Sequence, residues 1–540
     1  MRKELLMKPM HFGIACILAT VFIIAKPQAR SVQWYQTTES AQWVEKGTPG
    51  MEPATGSASV TVDPGTKYQV IDGFGGCFNE LGWDAISQLP DTKREEVFRT
   101  IFDPVDGCNF NYCRMMIGSS DFSSAKYGDP TSDDPRWFSL AMTPGDTGME
   151  HFSIERDKKA MIPYIKNAMR YNPELKVWGS PWSPPVWLKR GNNPSYAGGY
   201  IDATPVKFRA LARYFSRYIQ TYRAEGINVI GYHPQNEPGA AGQNYPCCGW
   251  EPLQIADFIK NYAVPRLALD GIDAEVWYGS VNKSQWDTWG PPVWDDAALR
   301  AACDGYGGQW GGRKLFDDMR ANYPDVKLMQ TETNCCKYQE TPWTYTRETW
   351  RMMYEDLTNG VSSYMQWNMV LPQADGSSTS GESSWGWKQT AMVMIDTNTL
   401  EVTYMPQMHM VRHFKFVQPG AHRIGVSGSN SILAFQNPDG SIVLVTRGGG
   451  SPAIQVGDKQ IDPGHLDGYN SIYIQYDATA NSERAAYSMR AHKSEAVDAL
   501  YDLRGRRILQ TRGRLHTRAK CTGIAIGANA RGLRACLRLR

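Results

Sequence analysis

The stretch NVIGYHPQNEP at residues 228–238 ends an apolar run with a carboxylate, Glu237, which stands between an asparagine and a proline. A second stretch, KLMQTETN at 327–334, ends in the same way with Glu332. Each has the form of a short buried strand followed directly by a polar turn. If the two strands belong to one parallel sheet, both carboxylates lie at the same end of it.

The surrounding sequence predicts such a sheet. Short β-branched and aromatic runs alternate with helical-period segments, such as 155–170 and 206–224, from about residue 71 to 400. This alternation predicts an α/β fold, a (β/α)8 TIM barrel, over residues 71–404. An open doubly wound sheet is the alternative, but GFGG at 73–76 lacks the spacing of a phosphate-binding motif. The eight strand candidates are 73–78, 112–117, 176–180, 228–233, 275–280, 303–310, 327–331 and 361–367.

The positions of the two carboxylates in the order of the strands indicate a catalytic role. Catalytic side chains of such barrels lie at the C-terminal ends of the strands. Glu237 follows the fourth candidate strand and Glu332 the seventh, so they are expected to face each other across one rim. Glycoside hydrolysis needs such a pair, and a separation of about 5 Å gives retention through a glycosyl-enzyme. A lone glutamate in a turn is ordinarily just solvated, so the prediction depends on the joint placement.

The ends of the chain differ from the barrel. Residues 1–30 have a basic start and a 14-residue apolar run, FGIACILATVFIIA, which predicts a signal peptide and export to the periplasm, cell surface or medium. Short strand patterns at 31–70 and 405–480 predict one small antiparallel β-sandwich shared by both ends. Residues 481–540 form a basic tail, and AVDALYDLRGRRI in it resembles a bacterial secretion-sorting domain.

Composition and charge limit the classes of partner that the protein is expected to bind. Apart from the basic tail the chain is mildly acidic, so nothing suggests nucleic acid, and no later segment is apolar enough for stable membrane insertion. The vicinal pairs Cys247–Cys248 and Cys335–Cys336 have no histidine at ligand spacing, so no metal is predicted. A disulfide between the two loops is our hypothesis for these cysteines. The 18 Trp and 27 Tyr suit sugar binding, although a large core uses them too.

Several motifs resemble glycoside hydrolase family 30, which includes the lysosomal glucosylceramidases. They are IDGFGG (71–76), CRMMIGSSDFS (113–123), GSPWSPPVWLK (179–189), HPQNEP (233–238), QTETN (330–334), QWN (366–368) and MPQMHMVRHFKFVQPGAHRIG (405–425). The resemblance runs over about residues 65–425. It implies a (β/α)8 barrel with a side β-sandwich and a retaining mechanism without a cofactor. It makes Glu237 the acid/base and Glu332 the nucleophile.

The motifs also propose substrate-binding residues. Strand geometry alone points Asn236 away from the pocket. If the chain turns it inward, its amide can bond a sugar 2-hydroxyl. Asp121 can accept bonds from two sugar hydroxyls, unless it serves only an Asx-turn. Arg114 can hold the nucleophile ionised, or make a structural salt bridge. Trp182 and Trp367 can wall the pocket with flat faces, or pack in the core.

Weaker candidates lie near the sixth strand. Trp310 and Tyr306 are expected to contact substrate, whereas His233 is expected to pack below the site without a chemical role. Gln309 stands where the glucosylceramidases have a histidine, so a lipid glucoside is not the only expected substrate. The family also holds β-xylosidases, β-fucosidases, β-1,6-glucanases and β-1,6-galactanases. The substrate is therefore expected to be a β-glycoside, an oligo- or polysaccharide, or a glycolipid. A non-catalytic carbohydrate-binding protein is the alternative from another class, but both glutamates are present.

Overall fold

The structure is a computed structural model that describes residues 29–191, 194–333, 335, 339–374, 377 and 379–476, and the backbone of four strands between 499 and 539. Residues 31–475 form one compact unit. In the described part of the chain, no helix has both the length and the apolar character needed to cross a membrane. Most of the predicted signal peptide, residues 1–28, lies outside the described residues.

The centre of this unit is a parallel barrel, which confirms the predicted fold class. Its fifth strand is split into Glu275–Val276, which pairs with the fourth strand, and Tyr278–Val281, which pairs with the sixth. The eighth strand pairs with the first, so the sheet closes on itself. The other seven strands are Gly73–Phe78, Tyr112–Met116, Lys176–Ser180, Val229–Tyr232, Tyr306–Gln309, Leu328–Glu332 and Val361–Asn368.

The barrel strands are buried on both faces, as parallel strands covered by helices are. Gly75 lets the first two strands approach closely, since a Cβ there would lie 1.9 Å from the Tyr112 carbonyl oxygen. Between and after the strands run the helices Glu80–Gln88, Asp91–Phe102, Met161–Tyr171, Pro205–Ala224, Pro252–Phe258, Val264–Asp270, Trp286–Trp289, Pro291–Trp294, Ala297–Ala302, Phe316–Asn322, Pro342–Thr358 and Pro406–Val411. Short 3-10 segments are Ala125–Tyr127, Asp157–Lys159, Val186–Leu188, Gly312–Leu315 and Arg412–Phe414, and Ile259–Ala263 is a π-helical turn.

A second sheet joins strands from both ends of the compact unit. Its strand Val60–Val70 pairs antiparallel with His422–Ser427 on one side and parallel with Ile454–Val456 on the other. The whole sheet contains Ala29–Thr37, Val44–Gly47, Met51–Pro53, Val60–Val70, His422–Ser427, Ile432–Gln436, Ile442–Arg447, Ile454–Val456, Lys459–Ile461 and Tyr469–Tyr476. Short strands that follow the barrel are Val370–Pro372, Gly381–Glu382, Lys388–Gln389, Val393–Ile395 and Val402–Tyr404.

Four strands in the predicted basic tail form an antiparallel sheet of their own. They are Ala499–Tyr501, Arg507–Gln510, Gly523–Ala528 and Arg534–Leu539. The other residues of 481–540 lie outside the described part of the chain.

Candidate active site

A cavity of about 410 Å³ opens at the C-terminal ends of the barrel strands. It contains both glutamates that the sequence predicted to face each other. Its lining consists of Asp121, Trp182, Asn236, Glu237, Gln243, Tyr245, Trp310, Glu332, Trp367, Trp387, Lys388 and Gln389.

The backbone turns sharply at Glu237. Its φ is +48°, in the left-handed region that residues other than glycine seldom adopt. This turn brings Asn236 and Glu237 to the same cavity, although regular strand alternation would point them to opposite sides. Trp310 has a φ of +49° and also lines the cavity. Each such residue costs about 1–3 kcal/mol, which the surrounding fold must offset.

Three donors converge on the carboxylate of Glu332. Arg114 Nη1 donates to its Oε2 at 2.9 Å, and Gln309 Nε2 donates to the same oxygen at 3.1 Å. Trp310 Nε1 donates to its Oε1 at 3.1 Å. Donors and a positive charge stabilise the ionised form of a carboxyl group. The geometry therefore favours an anionic Glu332.

Arg114 is itself held rigidly. Its guanidinium is fully buried and donates to Asn236 Oδ1 at 2.6 Å and to Ser180 Oγ at 2.9 Å. It lies 4.6 Å from the Trp182 ring centre and 5.6 Å from that of Trp367. Such contacts fix both the position and the charge of the guanidinium. Asn236 is oriented by the same contact, since its oxygen accepts from Arg114 and its amide nitrogen is left to face the cavity.

Glu237 has a different environment. Tyr245 donates its hydroxyl to Glu237 Oε2 at 3.2 Å, and the Glu237 residue is half-buried at the cavity. Burial raises the pKa of Glu237, and hydrogen bonds from Gln309 and Tyr245 oppose this rise. Burial also raises the pKa of Glu332, and the charge of Arg114 opposes it. Two neighbouring carboxyl groups that are shielded from water do not both ionise readily. Because the guanidinium contacts Glu332 directly, the geometry favours the proton on Glu237.

Asp121 and the two tryptophans complete the predicted pocket. Asp121 is 6% exposed, and its Oδ1 is buried without a hydrogen-bond partner among the described residues. Burial, and then the charge of Glu332, raises its pKa well above the usual range. Trp182 and Trp367 stack with their ring centres 5.2 Å apart. Asp121 is thus an open acceptor beside a flat aromatic wall, which is suited to sugar hydroxyls and a sugar face.

Among the predicted substrate contacts, Tyr306 lies elsewhere. Tyr306 does not reach the cavity, because strand alternation turns it toward the helices while Gln309, three positions on, faces inward. Its hydroxyl donates to the Gly312 carbonyl at 3.0 Å and its ring packs on Phe316. The prediction that Tyr306 contacts substrate is therefore wrong. His233 is fully buried, with its ring centre 4.3 Å from that of Trp178.

Sequence analysis missed several pocket residues. Gln309 was noted only as a departure from the family pattern, yet it bridges Glu332 and Asn236. Tyr245 and Trp387, whose rings pack edge to face 5.1 Å apart, come from loops without periodicity. Gln389 accepts from Trp367 Nε1 at 2.9 Å. The aromatic content of the loop SSWGWK was the one available signal.

The predicted disulfide is not present. Cys247 and Cys248 are buried free thiols, which contradicts the predicted link between the two loops. Cys247 Sγ instead accepts a hydrogen bond from the Gly198 amide at 3.1 Å. Cys336 lies outside the described residues.

The contact of Tyr245 with Glu237 predicts a change in pH dependence. The hydrogen bond from Tyr245 lowers the pKa of Glu237, so Tyr245→Phe should raise it. If Glu237 is the general acid, it works while protonated, so activity is lost as pH rises through its pKa. We therefore expect the basic limb of the kcat/KM profile to move to higher pH.

Tyr306→Phe is the matched control for this change, since Tyr306 donates to a backbone carbonyl outside the cavity. It should leave the profile unchanged. A basic limb that stays in place, or moves to lower pH, in Tyr245→Phe would contradict the predicted contact.

A parallel barrel whose rim holds two carboxyl groups in one cavity, an arginine and a tryptophan wall is the architecture of a glycoside hydrolase. Residues 71–417 match the model of the glycosyl hydrolase family 30 TIM-barrel domain, and the chain belongs to that family. It is therefore a glycosidase.

Relatives of the chain include two kinds of enzyme. An endo-1,6-β-D-glucanase of Trichoderma harzianum is 26% identical over 447 residues, which cover 76% of this chain and 84% of the relative. The lysosomal acid glucosylceramidase of Mus musculus is 24% identical over 436 residues, which cover 76% and 80%. The solved endo-β1,6-glucanase BT3312 has a similar fold, with a TM-score of 0.71, 23% identity and coverage of 83% of this chain and 99% of that one.

Proposed function

We propose that the protein is an exported enzyme that hydrolyses β-linked glycosides with retention, Glu237 acting as acid/base and Glu332 as nucleophile. The observation that carries this assignment is the uneven distribution of donors. Glu332 receives three, one of them from a buried guanidinium, whereas Glu237 receives the hydroxyl of Tyr245 and shares the amide of Gln309 with Glu332, both of them uncharged donors. A nucleophile must be anionic and an acid must be protonated, so this difference supports the two roles.

In the first step, Glu332 attacks the anomeric carbon while Glu237 gives its proton to the leaving oxygen. The bond to the aglycone breaks and an ester forms between the sugar and Glu332. When the ester is cleaved, the buried guanidinium of Arg114 stabilises the carboxylate that forms again on Glu332. In the second step, Glu237 takes a proton from water, which attacks the anomeric carbon and frees Glu332.

Other pocket groups orient the sugar in this proposal. The amide nitrogen of Asn236 donates to the 2-hydroxyl, a contact that strengthens in the transition state. Asp121 accepts from two further hydroxyls, and the Trp182–Trp367 wall lies against a sugar face. The reaction proposed uses side chains of the chain alone, without a metal or an organic cofactor.

The substrate class is a carbohydrate, and two candidates have support. A glucoside with a small or lipid aglycone is supported by the related glucosylceramidases. An endo-acting β-1,6-glucanase is supported by the related fungal glucanase and by the Tyr245–Trp387 aromatic pair. That pair lies beside the acid/base, where a further sugar of a polymer would be placed. We favour the polymer, because an aromatic pair offers a second sugar a face to stack on.

Proton NMR of an early reaction mixture tests retention. We expect the β-anomer of the new reducing end to appear first and the α-anomer to follow by mutarotation. The α-anomer appearing first would show that water attacks directly and that Glu332 is a general base.

A substrate panel decides between the two classes. The panel contains 4-nitrophenyl β-glucoside, galactoside, xyloside and fucoside beside β-1,6-glucan, xylan and glucosylceramide. Release from one aryl glycoside indicates a closed pocket that accepts single sugars. Oligosaccharides from one polymer, released much faster than any aryl glycoside is cleaved, indicate endo action.

A further inference from the structure

A second cavity, of about 400 Å³, lies where the ten-stranded sheet meets the helix Pro342–Thr358. None of its lining residues lines the catalytic pocket. Its walls combine aromatic and charged side chains in a pattern that the catalytic proposal does not use. We call it the sheet-side cavity, and the residues that matter for its chemistry are Glu39, Trp343, Arg347, Arg447, Asp467 and Tyr469.

Two aromatic rings form one wall of the sheet-side cavity. The rings of Trp343 and Tyr469 are nearly parallel, at 11°, with their centres 6.1 Å apart. Trp343 is half-buried, so part of its ring is accessible to a ligand. Tyr469 is 2% exposed, and its hydroxyl has no hydrogen-bond partner in the described part of the chain. A buried hydroxyl without a partner is costly, and a ligand hydroxyl would satisfy it.

Charged groups surround the aromatic wall and balance one another. Arg347 and Arg447 supply two positive charges, and Glu39 and Asp467 supply two negative ones. Arg347 and Glu39 are within 3.4 Å of each other. Because the charges cancel, the cavity has no net preference for an anion or a cation. Guanidinium and carboxylate groups in one site provide both donors and acceptors, as a polyhydroxylated neutral ligand requires.

The sheet-side cavity is close to the active site along the chain. The seventh barrel strand ends at Glu332, and the helix that carries Trp343 begins ten residues later at Pro342. In a (β/α)8 unit the helix begins at the barrel end where its strand finishes. The chain between Glu332 and Trp343 spans at most about 40 Å, since extended chain covers about 3.6 Å per residue. A polysaccharide is long enough to contact both places.

We propose that the sheet-side cavity is a non-catalytic binding site for a neutral polysaccharide. It holds a remote part of the polymer while another part occupies the catalytic pocket. The proposal rests on the proposed function, because it specifies a neutral polymer as the substrate of that site. A tether of this kind raises the effective concentration of the polymer at the pocket without contacting the reacting sugar.

Binding is measured without turnover, in the Glu332→Gln background. The probes are β-1,6-glucan, β-1,3-glucan and arabinoxylan, each cast into native affinity gels. We expect at least one polymer to retard the protein, and Trp343→Ala to weaken that binding about tenfold. Arg447→Gln, at an exposed strand end, should weaken binding in the same direction. Arg447→Gln therefore tests the same site independently if Trp343→Ala lowers the melting temperature.

The control and the kinetics separate this site from the catalytic one. Trp286→Ala removes another half-buried tryptophan, from a helix after the fifth strand, and should leave retardation unchanged. In the active enzyme, Trp343→Ala should raise KM for the polymer about tenfold, with kcat and aryl-glycoside turnover unchanged.

The second site and the proposed function can be rejected independently of each other. Retardation and polymer KM that depend on neither Trp343 nor Arg447 would overturn the second site while leaving the proposed function intact. Retardation that depends on Trp343, in a wild-type protein that cleaves no glycoside, would keep the second site and reject the proposed function.

Discussion

Glu332→Gln is expected to lower kcat for the best substrate by at least about 10⁴-fold, because it removes the proposed nucleophile. The amide has nearly the shape of the carboxylate, so the contacts with Gln309 and Trp310 change little in position. However, a neutral amide oxygen cannot form the glycosyl ester. The variant also leaves the buried guanidinium of Arg114 without the carboxylate that it contacts at 2.9 Å.

The measurement is turnover of an activated aryl β-glycoside and of the preferred polymer. Glu225→Gln is a suitable control, since it also replaces a carboxylate in ion pairs, with Lys158 and Lys166, at the end of the helix Pro205–Ala224. It should remain fully active. Activity of Glu332→Gln within about tenfold of wild type would mean that another group is the nucleophile.

Glu237→Ala should separate the two steps of the reaction. Without the acid, kcat/KM for unactivated glycosides is expected to fall by about 10²–10⁴-fold, the usual contribution of general acid–base catalysis. A substrate with a good leaving group needs no proton, so it should still glycosylate Glu332. The glycosyl-enzyme should then accumulate, because no base activates water.

Azide provides the decisive measurement for Glu237→Ala. The missing side chain leaves room beside the anomeric carbon for this small anion, which needs no general base. We expect turnover of aryl glycosides to recover and the product to be the β-glycosyl azide. An α-glycosyl azide would place the missing carboxylate on the other face of the sugar and exchange the two roles. Wild-type rates on unactivated substrates would remove Glu237 from the mechanism.

The barrel was predictable from the sequence because its strands repeat one pattern. All eight candidate strands correspond to barrel strands, with small shifts at their ends. Apolar runs of four to eight residues between helical segments are a strong signal when they repeat. The positions of Glu237 and Glu332 followed from this order alone, since the C-terminal ends of parallel strands meet at one rim.

The details of the site were less predictable for physical reasons. Tyr306 was misplaced because its face of the strand depends on register, and a shift of one residue reverses every side chain. Tyr245 and Trp387 lie on loops, whose course is set by long-range packing rather than by local periodicity. The turn that brings Asn236 into the cavity depends on the positive φ of Glu237, which no local sequence rule assigns to a glutamate before proline.

The two left-handed residues at the rim, Glu237 and Trp310, bear on how such an enzyme evolves. At both positions glycine would adopt the observed backbone at no steric cost, so the residues proposed to serve the reaction are not those that the fold accommodates most easily. Selection for thermal stability alone would therefore favour glycine at these positions, at the expense of the proposed activity. The present residues are therefore kept only while selection for activity continues. A descendant that no longer needs to cleave sugars would be expected to lose these two side chains early.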